Sequence, residues 1–113
     1  LNVGHTERDI KNWKGNVKNA GFLPQERAYF DKFFGDVGYV DVARSLAGDV
    51  PGPYTWWSYR GKAFDTDAGW RIDYHMATPG LAAAARSAVV DRAAAYDTRF
   101  SDHAPLVVDY RLS

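Results

Sequence analysis

Hydrophobic residues recur with two different periods along this chain. Across residues 24–34, three phenylalanines follow a proline at the spacing of one helical face, which predicts a helix that ends at the next glycine. Residues 54–59, YTWWSY, and 70–78, WRIDYHMAT, are rich in residues that favour strands and predict a hairpin with a long polar connection. A final strand is predicted at 104–112, APLVVDYRL, whose proline stands where no ladder donor is needed.

Three segments give weaker patterns. Residues 1–3, LNV, predict the end of a strand, and residues 38–44, GYVDVAR, predict a short extended piece in which valines alternate. Residues 79–97 are rich in alanine and arginine, and propensity alone predicts one long helix there. Taken together, these elements predict a mixed α/β fold.

The composition excludes several classes of protein. The chain has 113 residues and no internal repeat, which predicts a single modest domain. Fourteen basic residues balance fourteen acidic ones, so the net charge gives no overall signal for nucleic acid or membrane. The absence of cysteine excludes disulfides and thiolate metal sites and fits a cytoplasmic location. The longest apolar run, LAAAA, is too short to cross a bilayer, so no membrane partner is expected.

Two acidic residues and a histidine are candidates for chemistry. Alternation along the strand predicted at 70–78 places Arg71, Asp73 and His75 on one face. Asp73 could hold His103 of the SDHAP segment, because a carboxylate fixes the tautomer of an imidazole. Asp102 beside it could bind a divalent cation. The alternatives are an ordinary ion pair of Asp73 with Arg71 or another arginine, and a plain polar turn at SDHAP.

A polar loop follows the start of the chain. Asn12, Lys14, Asn16 and Asn19 place amide and ammonium donors along a segment that contains a glycine, which suits a row of phosphate oxygens. The alternative is a solvated surface loop. Asn2, just past the first predicted strand end, could hold a water or a phosphate oxygen, or could cap a turn.

Aromatic residues concentrate in the predicted hairpin. Trp56 and Trp70 could form a wall for a sugar or base that is flipped out of a duplex, although aromatic side chains more often belong to the core. Trp56 and Trp57 are expected to point to opposite faces of their strand. At most one of these two residues should therefore serve the same pocket as Trp70.

These segments carry a family resemblance when they are read in order. LNVGHTERDIKNWKGNVKNAGFLPQER, YTWWSYR, GWRIDY and SDHAP resemble the C-terminal half of exodeoxyribonuclease III and of the apurinic/apyrimidinic endonucleases, within the endonuclease/exonuclease/phosphatase superfamily. The resemblance implies an α/β (α+β) fold, namely half of a four-layered α/β sandwich with a mostly antiparallel sheet and helices on one face. It also implies a short helix at GLAAAARS followed by an extended SAVVDR, in place of one long helix.

The resemblance also implies an activity and assigns residues to it. The family uses Mg²⁺ (or Mn²⁺) to hydrolyse phosphodiesters of duplex DNA 5′ to abasic sites or at 3′ ends. It implies catalytic roles for Asn2, Asp73, His103 and Asp102, with Asp102 and Asn2 at the metal. It implies DNA contacts for Asn12, Lys14, Asn16, Asn19 and Arg60, and an abasic-sugar pocket formed by Trp56, Trp70 and Ile72.

Several groups of the family's active site belong to its N-terminal half, including the principal metal-binding Glu and a catalytic Tyr. Residues 1–113 are therefore expected to form a single partial domain that is inactive alone and pairs with the N-terminal half, or with a second copy of itself. The expected location is cytoplasmic and nucleoid-associated. The alternatives are another phosphodiesterase or phosphatase of the superfamily, and a fragment that binds DNA or a partner without chemistry.

Overall fold

Short helices and short strands alternate along the chain. The computed structural model describes residues 3–59, 61–93 and 101–111. After a 3₁₀ turn at Glu7–Asp9, the helices are α1 (Trp13–Asn16), α2 (Pro24–Phe34), α3 (Val42–Ala47) and α4 (Pro79–Ala83). The strands are β1 (Val40–Asp41), β2 (Met76–Ala77), β3 (Ala85–Val90) and β4 (Leu106–Tyr110). Within the described part of the chain, no helix has the length and apolar character needed to span a bilayer.

Helix α2 has the bounds that its phenylalanine spacing predicts. Pro24 occupies the first turn, where its missing N–H is not needed. The Glu26 carboxylate accepts hydrogen bonds from the backbone N–H groups of Gly21 and Leu23 at 2.8 and 3.1 Å, which fixes the entry to the helix. Phe30 is buried and packs edge-to-face on Tyr74, with ring centroids 4.9 Å apart. The helix is thereby held against the segment that carries Asp73.

Two of the weaker predictions need correction. The extended piece predicted at 38–44 ends at Asp41, because the Asp41 side chain accepts the N–H of Arg44 and starts helix α3. The single long helix at 79–97 is wrong in its described part, since β3 pairs antiparallel with β4. The short helix and extended segment implied by the resemblance are confirmed, with the strand beginning at Ala85. Residues 94–97 lie outside the described residues.

The hairpin of residues 54–59 and 70–78 is less regular than predicted. Trp56 forms antiparallel bridges to Trp70 on one side and to His103 on the other. Trp70 also bridges to Ile10, so four segments of the chain meet edge to edge. Met76 and Ala77 pair with β1 rather than with the aromatic segment. The final strand is confirmed as β4, and both described strand pairs are antiparallel.

A buried network of ion pairs joins Arg71 to two acidic residues in the core. The Arg71 side chain is 1% exposed and donates from Nε to Asp9 at 2.8 Å and from both Nη atoms to Asp41 at 2.9 and 2.5 Å. Asp9 is fully buried and also accepts a hydrogen bond from Arg44 at 2.5 Å. The alternative in which Arg71 pairs with Asp73 is therefore wrong, because Arg71 is occupied by two other carboxylates.

Gly69 lies where two aromatic residues approach the backbone closely. A Cβ at Gly69 would lie 2.6 Å from Trp57 Nε1 and 2.6 Å from Tyr54 Cβ. Gly69→Ala is therefore expected to destabilise the protein by about 1–3 kcal/mol, as overpacking does in a close-packed core. Gly15→Ala is the matched control, since its new methyl meets nothing within 4 Å. Thermal denaturation checks the prediction, and equal melting temperatures for the two variants would contradict it.

Candidate active site

The predicted pairing of Asp73 with His103 is present in the structure. His103 Nδ1 lies 2.8 Å from Asp73 Oδ2, and the two side chains are 34% and 36% exposed. Because a carboxylate only accepts, Nδ1 carries the hydrogen and Nε2 is left to contact a ligand. The pair lines a concavity of about 270 Å³ together with His75 and Ser101. This geometry suits an imidazole that contacts a phosphate or moves a proton.

The SDHAP turn is ordered by local hydrogen bonds. The backbone N–H of His103 donates to Ser101 Oγ at 3.1 Å, and the N–H of Trp57 donates to the Asp102 carbonyl at 3.0 Å. A hydrogen bond from the Trp56 side chain is the main cause that lowers the pKa of the Asp102 carboxyl. Asp102 therefore stays ionised at neutral pH, directly beside the Asp73–His103 pair.

Asp102 is the predicted metal ligand that lies among the described residues. The Asp102 carboxylate has the hard oxygen ligands that Mg²⁺ prefers. Within residues 3–59, 61–93 and 101–111, however, no three histidine or acidic side chains come together as metal ligands. Asn2, the second predicted ligand, lies outside the described residues. Among the described residues, the metal-binding prediction therefore rests on Asp102.

The predicted aromatic pocket is also assembled. The rings of Trp56 and Trp70 pack edge-to-face at 79°, with centroids 5.8 Å apart, and Ile72 lies beside them at 5% exposure. The pocket has a volume of about 490 Å³ and also contains Asn16 and Asn19 in its lining. Two of the loop asparagines therefore face the same space as the aromatic wall.

Trp57 confirms the expectation that only one of the two adjacent indoles serves the pocket. It is 2% exposed and packs with Tyr54, Phe64 and Ala104 in a core cluster. Its Nε1 donates to Asp67 at 2.9 Å, which satisfies the buried N–H.

The asparagine loop is partly helical. Asn16 Nδ2 donates to the Asn12 carbonyl at 2.8 Å, and Asn19 Nδ2 donates to Asn16 Oδ1 at 3.0 Å. Asn12 lies just before α1, and Lys14 lies over the Trp13 ring at 5.6 Å. Neither Asn12 nor Lys14 lines the aromatic pocket. The structure therefore brings two of the four predicted loop residues to the pocket, and Arg60 lies outside the described residues.

Sequence reasoning missed three residues that support the site. Thr55 is fully buried, and its Oγ1 accepts hydrogen bonds from the N–H groups of Ile72 and Asp73. The Tyr74 hydroxyl donates to the Val3 carbonyl at 2.6 Å, and burial raises the pKa of this phenol. Arg71 forms a buried ion pair with Asp9, which anchors the same segment of the chain. Their contacts span many residues of sequence, and no local pattern signals them.

The comparison with known proteins decides the family. The sequence profile described as the Endonuclease/Exonuclease/phosphatase family matches residues 1–103. The chain belongs to this family. It is 43% identical over 106 residues to an exodeoxyribonuclease of Bacillus subtilis, covering 94% of this chain and 40% of the relative. It is 39% identical over 108 residues to the DNA repair nuclease APEX1 of Danio rerio, covering 96% of this chain and 33% of the relative.

Solved structures of the family share the fold. The 3′-5′ exonuclease NExo of Neisseria meningitidis superposes with a TM-score of 0.85 at 28% identity, covering 99% of this chain and 43% of that one. The AP endonuclease LMAP of Leishmania major gives a TM-score of 0.86 at 27% identity, covering 100% and 34%. The predicted α/β sandwich fold is thereby confirmed. This chain spans between 33% and 43% of the length of these four proteins.

Proposed function

We propose that this chain is the C-terminal half of a DNA-repair nuclease domain. The complete domain hydrolyses the phosphodiester 5′ to an abasic site, or removes nucleotides from 3′ ends of duplex DNA. The proposal rests on the position of Trp56 between the pocket and the catalytic pair. Trp56 forms the pocket wall with Trp70 and also bridges to His103, which pairs with Asp73.

The pocket favours an abasic nucleotide among the candidate substrates. A deoxyribose without its base costs less to unstack than an intact nucleotide, and a close aromatic wall excludes a nucleotide that retains its base. Asn16 and Asn19 line the same pocket and provide amide donors for the DNA backbone. The relatives point the same way, since the names that they carry include exodeoxyribonuclease, DNA repair nuclease and AP endonuclease.

The catalytic pair has a defined part in the reaction. His103 presents Nε2 to a phosphoryl oxygen, and Asp73 holds the ring by its Nδ1–H. When Nε2 also carries a hydrogen, the ring donates to the phosphoryl group and offsets the negative charge that develops there and on the leaving 3′ oxygen. Asn2 completes the set of proposed catalytic residues, and Arg60, Asn12 and Lys14 complete the proposed DNA contacts.

Nucleases of this family generally depend on a divalent metal. We propose Mg²⁺ or Mn²⁺ here, with Asp102 and Asn2 as ligands and further ligands from the rest of the domain. When bound, the metal supplies Lewis-acid stabilisation of the phosphoryl oxygens.

The proposed partners are duplex DNA, with an abasic site or a 3′ end, and the N-terminal half of the same domain. Val89 and Val107 face each other across β3 and β4 and are 57% and 48% exposed. No residue of these two described strands is fully buried, so the sheet has apolar surface for the other half to cover. A second copy could cover the same surface when the chain is produced alone. The proposed location is cytoplasmic and nucleoid-associated.

The test compares incision by the full-length protein of a duplex containing one abasic site with incision of the intact duplex, and tracks resection from a 3′ end in parallel. Trp70→Ala is expected to reduce the preference for the abasic duplex about 10-fold or more, because loss of one aromatic contact weakens binding by roughly 1–3 kcal/mol. The control is Tyr29→Ala, an aromatic side chain 67% exposed on α2.

Each other outcome contradicts a part of the proposal. An unchanged preference in Trp70→Ala would remove the pocket from substrate recognition. Binding to the abasic duplex without incision would favour a non-catalytic DNA-binding role, and phosphatase activity confined to small phosphate esters would favour the other branches of the superfamily.

A further inference from the structure

Thr55 connects the two parts of the candidate site. Its side chain is fully buried, and its Oγ1 lies 3.1 Å from the N–H nitrogen of Ile72 and 3.2 Å from that of Asp73. One hydroxyl oxygen thus accepts hydrogen bonds from two consecutive residues, of which one lines the pocket and the other holds His103.

The backbone of Thr55 extends the connection to the segment that carries His103. Its N–H donates to the Trp70 carbonyl at 2.9 Å, and its own carbonyl accepts the N–H of Ala104 at 2.7 Å. These backbone hydrogen bonds persist when the side chain changes. The hydroxyl is the group of Thr55 that holds the N–H groups of Ile72 and Asp73.

We propose that Thr55 is a positioning residue, whose hydroxyl sets the Asp73 carboxylate in register with His103 and with the pocket. This inference rests on the proposed function, because it assigns a role within that site. Thr55 does not reach the reacting atoms, since its side chain is fully buried. It acts through the peptide that joins Ile72 to Asp73.

A substitution that keeps shape and removes the acceptor separates this role from packing. Thr55→Val preserves the branched side chain and leaves two buried N–H groups without an acceptor. Thr55→Ser loses a methyl group and keeps the hydroxyl, so it is the matched control. A catalytic group displaced by about 1 Å can lower the rate roughly 100-fold.

The experiment measures abasic-site incision by the full-length protein together with the tautomer of His103 from ¹⁵N-histidine spectra. Thr55→Val is expected to lower kcat by about 10- to 100-fold, with KM changed by less than about threefold, because Trp56 and Trp70 keep their own backbone bonds. The parent and Thr55→Ser should show His103 with hydrogen on Nδ1, and Thr55→Val should show a mixture of both tautomers.

Two results would overturn the proposal. One is a Thr55→Val protein with parental kcat and the parental tautomer. The other is equal impairment of Thr55→Ser and Thr55→Val, which would assign the effect to packing. If Thr55→Val does not fold, Thr55→Ala takes its place with the same expected order. If the parent does not incise DNA, the proposed function fails, while the tautomer comparison still decides the role of Thr55.

Discussion

Replacing Asp73 with Asn is expected to lower kcat for abasic-site incision by the full-length protein by on the order of 10²- to 10⁴-fold. The Asp73 carboxylate accepts the Nδ1–H of His103 at 2.8 Å, which fixes the tautomer and the orientation of the ring. An amide keeps the size of the side chain but loses the charge, and its NH₂ group can turn toward Nδ1 and select the wrong tautomer. Steady-state kinetics on an abasic duplex measures the loss.

The controls separate this pairing from a general effect of charge. Asp36→Asn should retain the parental kcat, because Asp36 lies exposed in the turn after α2. The double variant Asp73→Asn, His103→Gln should be no slower than His103→Gln alone, since residues that act as a unit are not additive. An Asp73→Asn protein within tenfold of the parent, or additive losses in the double variant, would exclude a shared role.

Replacing Arg71 with Met is expected to destabilise the protein by about 3–5 kcal/mol at neutral pH, which is the usual cost of removing one partner from a buried ion pair. Of its two arginine partners, Asp9 would keep Arg44 and lose Arg71. Asp41 would lose both of its hydrogen bonds from the Arg71 guanidinium. Met has similar length and no charge, so the variant isolates the charge. Urea denaturation measures the loss.

The stability lost in Arg71→Met is expected to change with pH in a definite direction. Burial acts to raise the pKa of Asp9, but the charge of Arg71 and hydrogen bonds from Arg71, Thr6 and Arg44 outweigh it, and the pKa is lowered. The contribution of Asp9 is therefore present above the unfolded pKa of about 4 and is lost as the pH falls through the lower folded value. In Arg71→Met, protonation removes a buried charge that lacks its main partner, so the difference from the parent shrinks in acid.

The control for this prediction is an ion pair at the surface. Arg8 pairs with Asp49, and 44% and 83% of these side chains are exposed. Arg8→Met should change stability little at any pH, because solvent screens an exposed pair. A loss in Arg71→Met that is as small as in Arg8→Met, or that grows in acid, would contradict the role assigned to the buried network.

Helix α2 shows what the sequence specifies by itself. Its proline, its phenylalanine spacing and its terminal glycine are all local signals, and the bounds Pro24–Phe34 match the prediction. The pairing of Asp73 with His103 is a different case. Thirty positions separate the two residues, and composition alone could not distinguish this pair from a turn next to an ordinary ion pair. The family resemblance supplied that part of the prediction.

The predictions that failed have physical causes that lie outside the local sequence pattern. The alanine-rich segment after α4 becomes a strand because β4 offers it a partner, and this contact overrides helix propensity. Arg71 pairs with Asp9, 62 positions away, instead of with the nearby Asp73. A buried charged side chain pairs with the opposite charge that the fold places next to it. Its partner could therefore not be predicted from the sequence separation of the two residues.

The adjacent tryptophans have a consequence for how the chain finds its pairing. A slip of one residue along residues 54–59 would move one tryptophan into the position of the other and bring Thr55 or Ser58 into the position left behind. A slipped chain would therefore place an indole in the pocket or in the core, but not in both. Gly69 adds to the preference for the native alignment, because the Trp57 indole occupies space that any side chain at residue 69 would fill. A bulky residue at 69 would remove that room for the indole, and the site would be lost through misfolding, with every catalytic side chain still present.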